Sequence, residues 1–280
     1  MFFIISKRKA IFTFIIIALL VIAIIFPFAQ VESTDNRMPI IMYHNISEIK
    51  NMLGPYVISV EQLEKDMIYI KDNGYTTILM QDIIDFVKEG TPLPDKPIML
   101  TFDDGHEGCL KYLLPLLEKY DMKAVVSVVG SFSDFSEKES CNVAEYCYLT
   151  WNDIKELAKS PRIEIQNHTY SLHSNATRQG AKIKKGESLN DYKRVLGNDL
   201  SLLQDKIFEV TGKKPTTFTY PFGHLCKESV EILEELGFCA ALTCSETQVD
   251  LDNINLFRLG RFNRPYGKSS ETFFNFVLSH

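Results

Sequence analysis

A surplus of positive charge and a second tryptophan are both missing from these 280 residues: Trp151 stands alone, and 30 Lys and Arg face 36 Asp and Glu. The resulting net charge of −6 argues against nucleic acid as the partner, because binding phosphate needs a basic face. One local exception is RQGAKIKKGE, where Arg178, Lys182, Lys184 and Lys185 cluster. A solvated loop is the ordinary reading of such a run, and an anionic polymer passing nearby is the sharper one. Cysteine is scarce, and no two of Cys109, Cys141, Cys147, Cys226, Cys239 and Cys244 are spaced as CxxC, which argues against a thiolate metal site. Internal repeats and a second linker are also absent, so one large domain is expected rather than an array.

What is present begins with a long apolar run. Ile11 to Ala29 carries no charge, is interrupted only by Thr13 and Pro27, and follows directly on Lys7, Arg8 and Lys9. It exceeds the apolar core usual for a cleaved signal and matches the length needed to cross a bilayer. The basic flank then stays inside the cell and everything after it is exported. The expected organisation is a cytoplasmic basic segment over 1–10, a single-pass membrane signal-anchor over 11–29, a polar linker over 30–38 and an extracytoplasmic catalytic domain over 39–280. A long signal cleaved near Ala29, giving a secreted protein, is the alternative. Export permits disulfides, and although six cysteines allow fifteen pairings, Cys141 with Cys147 in ESCNVAEYCY is the first candidate.

Through 39–280 short apolar runs alternate with helical patterns: PIIMYH, SVEQLEKDMIYIKDNG, TTILM, QDIIDFVKEG, PIMLTF, GCLKYLLPLLEKY, AVVSVV, TWNDIKELAK, RIEIQN, LNDYKRVLGNDLSLLQDKIFEVTG, TTFTYP, ESVEILEELGF, AALTC, FRLGRFN and ETFFNFVL. Such alternation predicts an α/β fold with a mainly parallel sheet, and seven or eight strands in one domain favour a barrel over an open doubly wound sheet. Ser59 with Gln62 and Thr150 with Asp153 predict capping boxes, and Gly74 and Gly212 predict helix stops.

In a parallel barrel the chemistry gathers at the C-terminal ends of strands. That filter selects Tyr43 and His44, Asp103 and Asp104, Asn167 and His168, and Tyr220 to Gly223. Two adjacent buried carboxylates are costly to keep ionised without a cation or a shared proton, and capping of a following helix would account for only one. One carboxylate with His168 and His173 makes a three-ligand site with room for water, which suits zinc used as a Lewis acid but also non-haem iron. The second carboxylate favours hydrolysis, because it can take a proton from water. His44 is the candidate acid for the leaving group. The interval of five in NHTYSLHS fits neither one helix face nor one strand face, so the chain between the two histidines has to bend.

TFDDG at 101–105, the His168–Thr169 pair followed by His173, FTYPFG at 218–223, and the runs PIIMYHNIS and LPDKPIMLTFDDG resemble the polysaccharide deacetylase family of carbohydrate esterases, from about Pro39 to the C-terminus. The resemblance implies a distorted (β/α) barrel that removes acetyl groups from sugar polymers with a divalent metal: zinc first, with Co2+, Ni2+ or Fe2+ as alternatives. It implies Asp103 as general base, Asp104, His168 and His173 as metal ligands, and Tyr220, Pro221, Phe222 and Gly223 along the substrate, with an oxyanion donor near Phe222. The family's commonest histidine motif has an interval of four. The longer interval here is similar to the branch acting on poly-N-acetylglucosamine, in which the acid is similar to His44. Thr219 stands where the usual motif has an arginine that orients the aspartate, and Arg261, counted with the substrate-side residues, is the candidate replacement. The usual LxH motif is matched only by Leu278-Ser279-His280, at a chain end ill suited to a preorganised acid. Trp151 is expected to pack at a helix start, while His106 and His224 either line the site or serve the neighbouring backbone. The expected partner is an N-acetylated polysaccharide; a silent sugar-binding relative and a metal amidase on a smaller or lipid-linked substrate are the competing readings.

Overall fold

The computed structural model describes residues 36–138, 147–176 and 178–280. The expected membrane span over 11–29 and Cys141 lie outside the described residues. Cys147 is disulfide-bonded, whereas Cys109, Cys226, Cys239 and Cys244 are free. Among the described residues no helix is long and apolar enough to cross a membrane.

Arg37–His280 forms one compact unit. It begins two residues before the expected boundary because Met38 is fully buried and Arg37–Met38 pairs antiparallel with Val249–Asp250. Eight strands make the main sheet: β1 (Ile40–Tyr43), β2 (Thr76–Ile78), β3 (Pro97–Phe102), β4 (Ala124–Val128), β5 (Ile163–Asn167), β6 (Thr217–Thr219), β7 (Ala240–Leu242) and β8 (Phe262–Asn263). Their order is β7-β6-β5-β4-β3-β1-β8, β2 joins the first half of β3, and every pairing is parallel.

One short segment ties the two sides of this curled sheet. Leu259 donates to Ala241 O (3.1 Å) and accepts from Thr243 N (2.8 Å) beside β7, while Phe262 pairs with Ile41 of β1 and Arg264 N reaches Met42 O (2.9 Å). Arg261 lies between these two attachments.

Helices fill the crossovers: α1 (Val60–Asp72), α2 (Met80–Glu89), α3 (Leu114–Tyr120), α4 (Gly130–Lys138), α5 (Trp151–Leu157), α6 (Leu189–Thr211) and α7 (Lys227–Glu235), with α8 (Ser270–Leu278) closing the chain. The strands are buried on both faces, as parallel strands covered by helices must be. Alternation sorts their residues. Leu100 and Phe102 of β3, Val126 and Val128 of β4 and Ile165 of β5 pack with Leu63 and Met67 of α1 and Leu203 of α6. Ile40, Met99, Val125 and Leu242 form a separate cluster on the opposite, inner face. Continuing that alternation places Thr101 and Asp103, along β3, and Gln166 and His168, along β5, in the interior.

Local signals explain the helix ends. Ser59 Oγ accepts from Gln62 N at 3.0 Å, but the reciprocal half of the expected box is absent. The Gln62 side chain instead bonds Pro265 O and Gly267 N, each at 3.0 Å. Thr150 and Asp153 form both halves. Leu63, Met67 and Ile70 repeat on the buried face of α1, each contributing about 1.5–3 kcal/mol through burial. Gly212 stops α6 in a left-handed conformation at φ 70.

Candidate metal centre

Strand β3 delivers Asp103 to the sheet's C-terminal end, inward and only 2% exposed. Both its oxygens are held by Arg261: Nη1 to Oδ1 at 2.8 Å and Nη2 to Oδ2 at 2.9 Å. Arg261 is fully buried and is itself fixed by Nε donating to Thr243 O (2.9 Å) and Nη1 to Thr101 Oγ1 (3.1 Å). Burial works against ionisation of Asp103, but Arg261, with His168 and His44, outweighs it and keeps the carboxyl below its ordinary value. The arginine that Thr219 cannot supply thus comes from the segment leading from β7 into β8. Arg261 does not line the cavity, which corrects its placement on the substrate side: the guanidinium is spent on Asp103 and the backbone around it.

The next residue turns away from the strand. Asp104 adopts φ 70, a left-handed conformation that costs a non-glycine residue energy, and Gly105 continues it at φ 73. A Cβ at Gly105 would lie 2.9 Å from Val128 Cγ1, so the glycine of TFDDG is demanded by both conformation and space. The turn aims Asp104 at the two histidines that follow β5.

His168 ends the extension of β5 and is 2% exposed. Its Nδ1 lies 2.8 Å from the carbonyl oxygen of Thr219, which can only accept, so the hydrogen belongs on Nδ1 and the neutral ring presents a lone pair at Nε2. That Nε2 is 3.5 Å from Asp104 Oδ1, and His173 Nε2 is 3.2 Å from the same oxygen. One ligand atom from each of the three residues lies within 4.8 Å of the others. Asp104 Oδ1 is buried and has no hydrogen-bond partner among the described residues. Two nitrogen lone pairs and an orphaned carboxylate oxygen repel unless a proton or a cation sits among them. The donor set therefore fits a divalent metal, with two nitrogens and one oxygen, room for further ligands, and a hydrogen-bonded second nitrogen on His168.

The protonation tendencies agree with this reading. Burial disfavours the Asp104 anion, yet contacts to His106 and His168 and the charge of His173 hold its carboxyl well below the usual range. Burial would neutralise His168, but Asp104 and Asp103 prevail and raise its pKa. His173 is pushed down to about 4 by burial and by the charge of His168. A cation at this point would take over from the proton that Asp104 otherwise favours on His168.

The turn between the histidines is fastened from below. Thr169 sits at φ 74, its N–H donates to Asn167 Oδ1 (2.9 Å), and Asn167 Nδ2 donates to Leu200 O (3.0 Å). Tyr170 N and Ser171 N donate to the Asp199 carboxylate at 2.7 and 2.9 Å.

A cavity of about 800 Å³ opens over these groups, lined among others by His44, Asp103, Asp104, His168, His173 and Phe222. Three of the four lining histidines have a Tyr or Phe neighbour: Tyr56 edge-on to His44 at 4.8 Å, Phe222 against His173 at 4.5 Å, and Tyr148 stacked on His106 at 4.7 Å. His44 Nδ1 is buried and has no hydrogen-bond partner among the described residues. Burial lowers the His44 pKa, while Asp103 and Asp104 resist.

Of the YPFG stretch only Phe222 faces the cavity, 42% exposed and strained at φ 59. Tyr220 is fully buried in a cluster with Phe218 and Leu233, its OH 3.1 Å from Ser229 Oγ, which corrects its expected role as a substrate wall. Pro221 is buried under Gly180, and Gly223 packs on Cys244, so neither reaches the cavity. Gly223 N and His224 N close the turn onto Tyr220 O (3.0 Å) and Pro221 O (3.1 Å), and the His224 ring lies off the cavity.

Trp151 packs at the start of α5, its Nε1 donating to Asp134 Oδ1 at 2.7 Å. His280 is exposed beside Phe276, away from the cavity. His106, ambiguous in the sequence, stands 3.6 Å from Asp104 Oδ2. Cys244, just past β7, and Asn263, the last residue of β8, also line the cavity, where the strand-end filter could have found them. Tyr56 and Asp199 carried no such signal.

Fold and site together define a parallel-sheet barrel protein with a two-histidine, one-carboxylate centre and a second, arginine-clamped carboxylate beside it. The chain belongs to the polysaccharide deacetylase family, whose profile matches residues 90–241. It is 24% identical over 223 residues to the poly-beta-1,6-N-acetyl-D-glucosamine N-deacetylase of Escherichia coli (strain K12), covering 72% of this chain and 33% of that protein. The chain thus spans about a third of that relative's length. It is 20% identical over 210 residues to the enzyme of the same name from Staphylococcus aureus (strain N315), covering 75% of this chain and 67% of the relative. Among solved structures it resembles a de-N-acetylase from Aggregatibacter actinomycetemcomitans, with TM-score 0.73 and 25% identity over 87% of this chain and 99% of that one. IcaB from Ammonifex degensii shares the fold, with TM-score 0.69 and 20% identity over 87% of this chain and 96% of the other.

Proposed function

We propose that the chain is a metal-dependent N-deacetylase acting on N-acetylglucosamine units of a cell-wall or matrix polysaccharide. The observation that carries this reading is the convergence of Asp104, His168 and His173 beside a carboxylate that Arg261 keeps ionised. The names of the poly-beta-1,6-N-acetyl-D-glucosamine N-deacetylase relatives support a β-1,6-linked polymer, as does the interval of five between the histidines. The run 11–29 and its basic flank support a membrane tether with the catalytic domain outside the cytoplasm.

Asp104, His168 and His173 would hold the cation, with zinc the first choice and Co2+, Ni2+ and Fe2+ compatible with the same donors. When bound, it supplies Lewis acidity toward the acetamide carbonyl and lowers the pKa of a water. Asp103 takes the proton from the attacking water; its two Arg261 contacts fix the carboxylate's plane. The backbone N–H of Phe222 is the remaining candidate in its turn to meet the developing oxyanion, since those of Gly223 and His224 are engaged. His44, its Nδ1 unengaged at the cavity wall, delivers a proton to the departing amine, and the nearby carboxylates help it hold that proton against burial. Tyr56 and Phe222 offer apolar walls to the sugar and the acetyl methyl.

Acetate release from poly-β-1,6-N-acetylglucosamine, chitin oligomers, peptidoglycan and acetylated xylan, with and without chelator, tests the proposal. Chelator-sensitive release, greatest on the β-1,6 polymer, is expected. No metal-dependent release from any N-acetylglucosamine polymer would leave a silent sugar-binding relative as the better reading.

A further inference from the structure

An interval of five forces the chain between His168 and His173 out of regular structure, so the direction of His173 depends on whatever holds the turn. Thr169 opens that turn in a left-handed conformation that a β-branched residue adopts only under constraint. The constraint comes from both sides. On one side Gly130 N and Ser131 N, at the start of α4, donate to Thr169 O (3.2 Å) and Tyr170 O (2.7 Å). On the other, the Asp199 carboxylate accepts from three donors at once: Tyr170 N on Oδ1 at 2.7 Å, and Ser171 N and Ser171 Oγ on Oδ2, both at 2.9 Å. The neighbouring Leu200 O receives Asn167 Nδ2 at 3.0 Å, so two successive residues of α6 anchor the turn.

Asp199 is 8% exposed, and no described Lys, Arg or His lies within ion-pair distance of it. A buried carboxylate without a cation is costly. Its two outward-diverging acceptor oxygens are nonetheless what three converging donors require; an amide offers one oxygen and turns an NH2 on the remaining N–H.

We propose that Asp199 is the positioning residue of the metal centre: by clamping the Tyr170–Ser171 backbone it sets His173 so that its Nε2 meets His168 Nε2 around Asp104 Oδ1. The inference rests on the reading of that trio as a metal site. Asp199 itself touches neither the ligand atoms nor the cavity. Without the clamp Thr169 relaxes toward extended backbone and His173 swings away, leaving two ligands where there were three.

The test is titration of the purified, metal-stripped protein with Co2+, followed by visible absorption, in the parent, Asp199→Asn, Asp199→Ala and Gln204→Ala. Gln204 lies on the same helix, is 1% exposed, and bonds Pro215 O (3.2 Å) with no link to the turn, so it reports the effect of merely weakening α6. We expect Asp199→Ala to lose on the order of 10–100-fold in Co2+ affinity with an altered spectrum, and the nearly isosteric Asp199→Asn about tenfold. Gln204→Ala should lower the melting temperature yet keep parental affinity and spectrum. If Asp199→Ala does not fold, the asparagine variant decides. Parental affinity and spectrum in a folded Asp199 variant, or an equal loss in Gln204→Ala, overturns the positioning role. A parent that takes up no Co2+ refutes the underlying metal reading and this inference with it.

Discussion

Replacing Arg261 by Met removes the guanidinium that holds Asp103 while leaving most of the apolar volume. Both side chains are buried, and the two contacts at 2.8 and 2.9 Å form a bidentate pair. Taking away one partner of such a pair strands the other charge and costs about 3–5 kcal/mol. For a domain of this size that lowers the melting temperature by on the order of 10 °C. The pH dependence carries the sharper signature. In the parent the Asp103 pKa is lowered, so the pair's contribution is complete above the unfolded value of about 3.9 and disappears as pH falls through the folded value. In Arg261→Met, burial acts without the guanidinium to oppose it and the folded pKa rises above the unfolded one. The deficit must then grow as pH rises through that higher value, and the acidic limb of kcat/KM must move to higher pH. Urea unfolding at acidic and neutral pH, applied to Arg261→Met, Asp103→Asn and the double variant, separates these terms. The double variant should recover much of the loss, because no charge is left stranded. A pH-independent loss below about 1 kcal/mol, small beside the cost of stranding a buried charge, would refute the reasoning.

Asp103→Asn should retain the metal and lose about 10²–10⁴-fold in turnover, measured as acetate release against bound metal. His173→Ala should lose most of its metal by equilibrium dialysis, and normal metal content would remove His173 from the ligand set. His44→Ala should slow acetate release with metal content unchanged, whereas parental rates would assign the acid role elsewhere. Since a cation must displace the proton from His168, whose pKa is raised, apparent metal affinity should fall roughly tenfold for each pH unit below that pKa. Calorimetric titrations between about pH 6 and pH 8 check this, and a flat profile would mean that His168 binds no metal.

Much of the architecture was legible because parallel strands and their helices write simple patterns. PIMLTF and AVVSVV are apolar throughout, as strands buried on both faces must be, and they became β3 and β4. The helical pattern of LNDYKRVLGNDLSLLQDKIFEVTG and the stop predicted at Gly212 matched α6. The helix Gly130–Lys138 was missed, since GSFSDFSEK opens on glycine and carries little apolar periodicity. The parallel pair Asn45–Ser47 with Val57–Ser59 was missed too, because each member is three residues long. At Ser59 the four-residue signature predicted a reciprocal box, but residues some two hundred positions away claimed the Gln62 side chain.

The sequence by itself singled out the candidate residues for chemistry, since TFDDG and the histidines of NHTYSLHS are local strings whose types limit what they can bind. The positions of Asp103 and His168 at strand ends were legible too, while the side they face followed from which alternate residues of β3 and β5 pack under the helices. Tertiary structure decided what the strings left open: that Arg261, only a candidate in the sequence, lies against Asp103 from 158 residues away, and that Asp199 holds the turn between the histidines. It also removed Tyr220 from the cavity, because a strand-end residue faces core or solvent according to how its neighbours pack. The reason is common to all three. Period and composition act over a few residues, whereas the partner of a buried charge is chosen by where the curled sheet brings distant segments together.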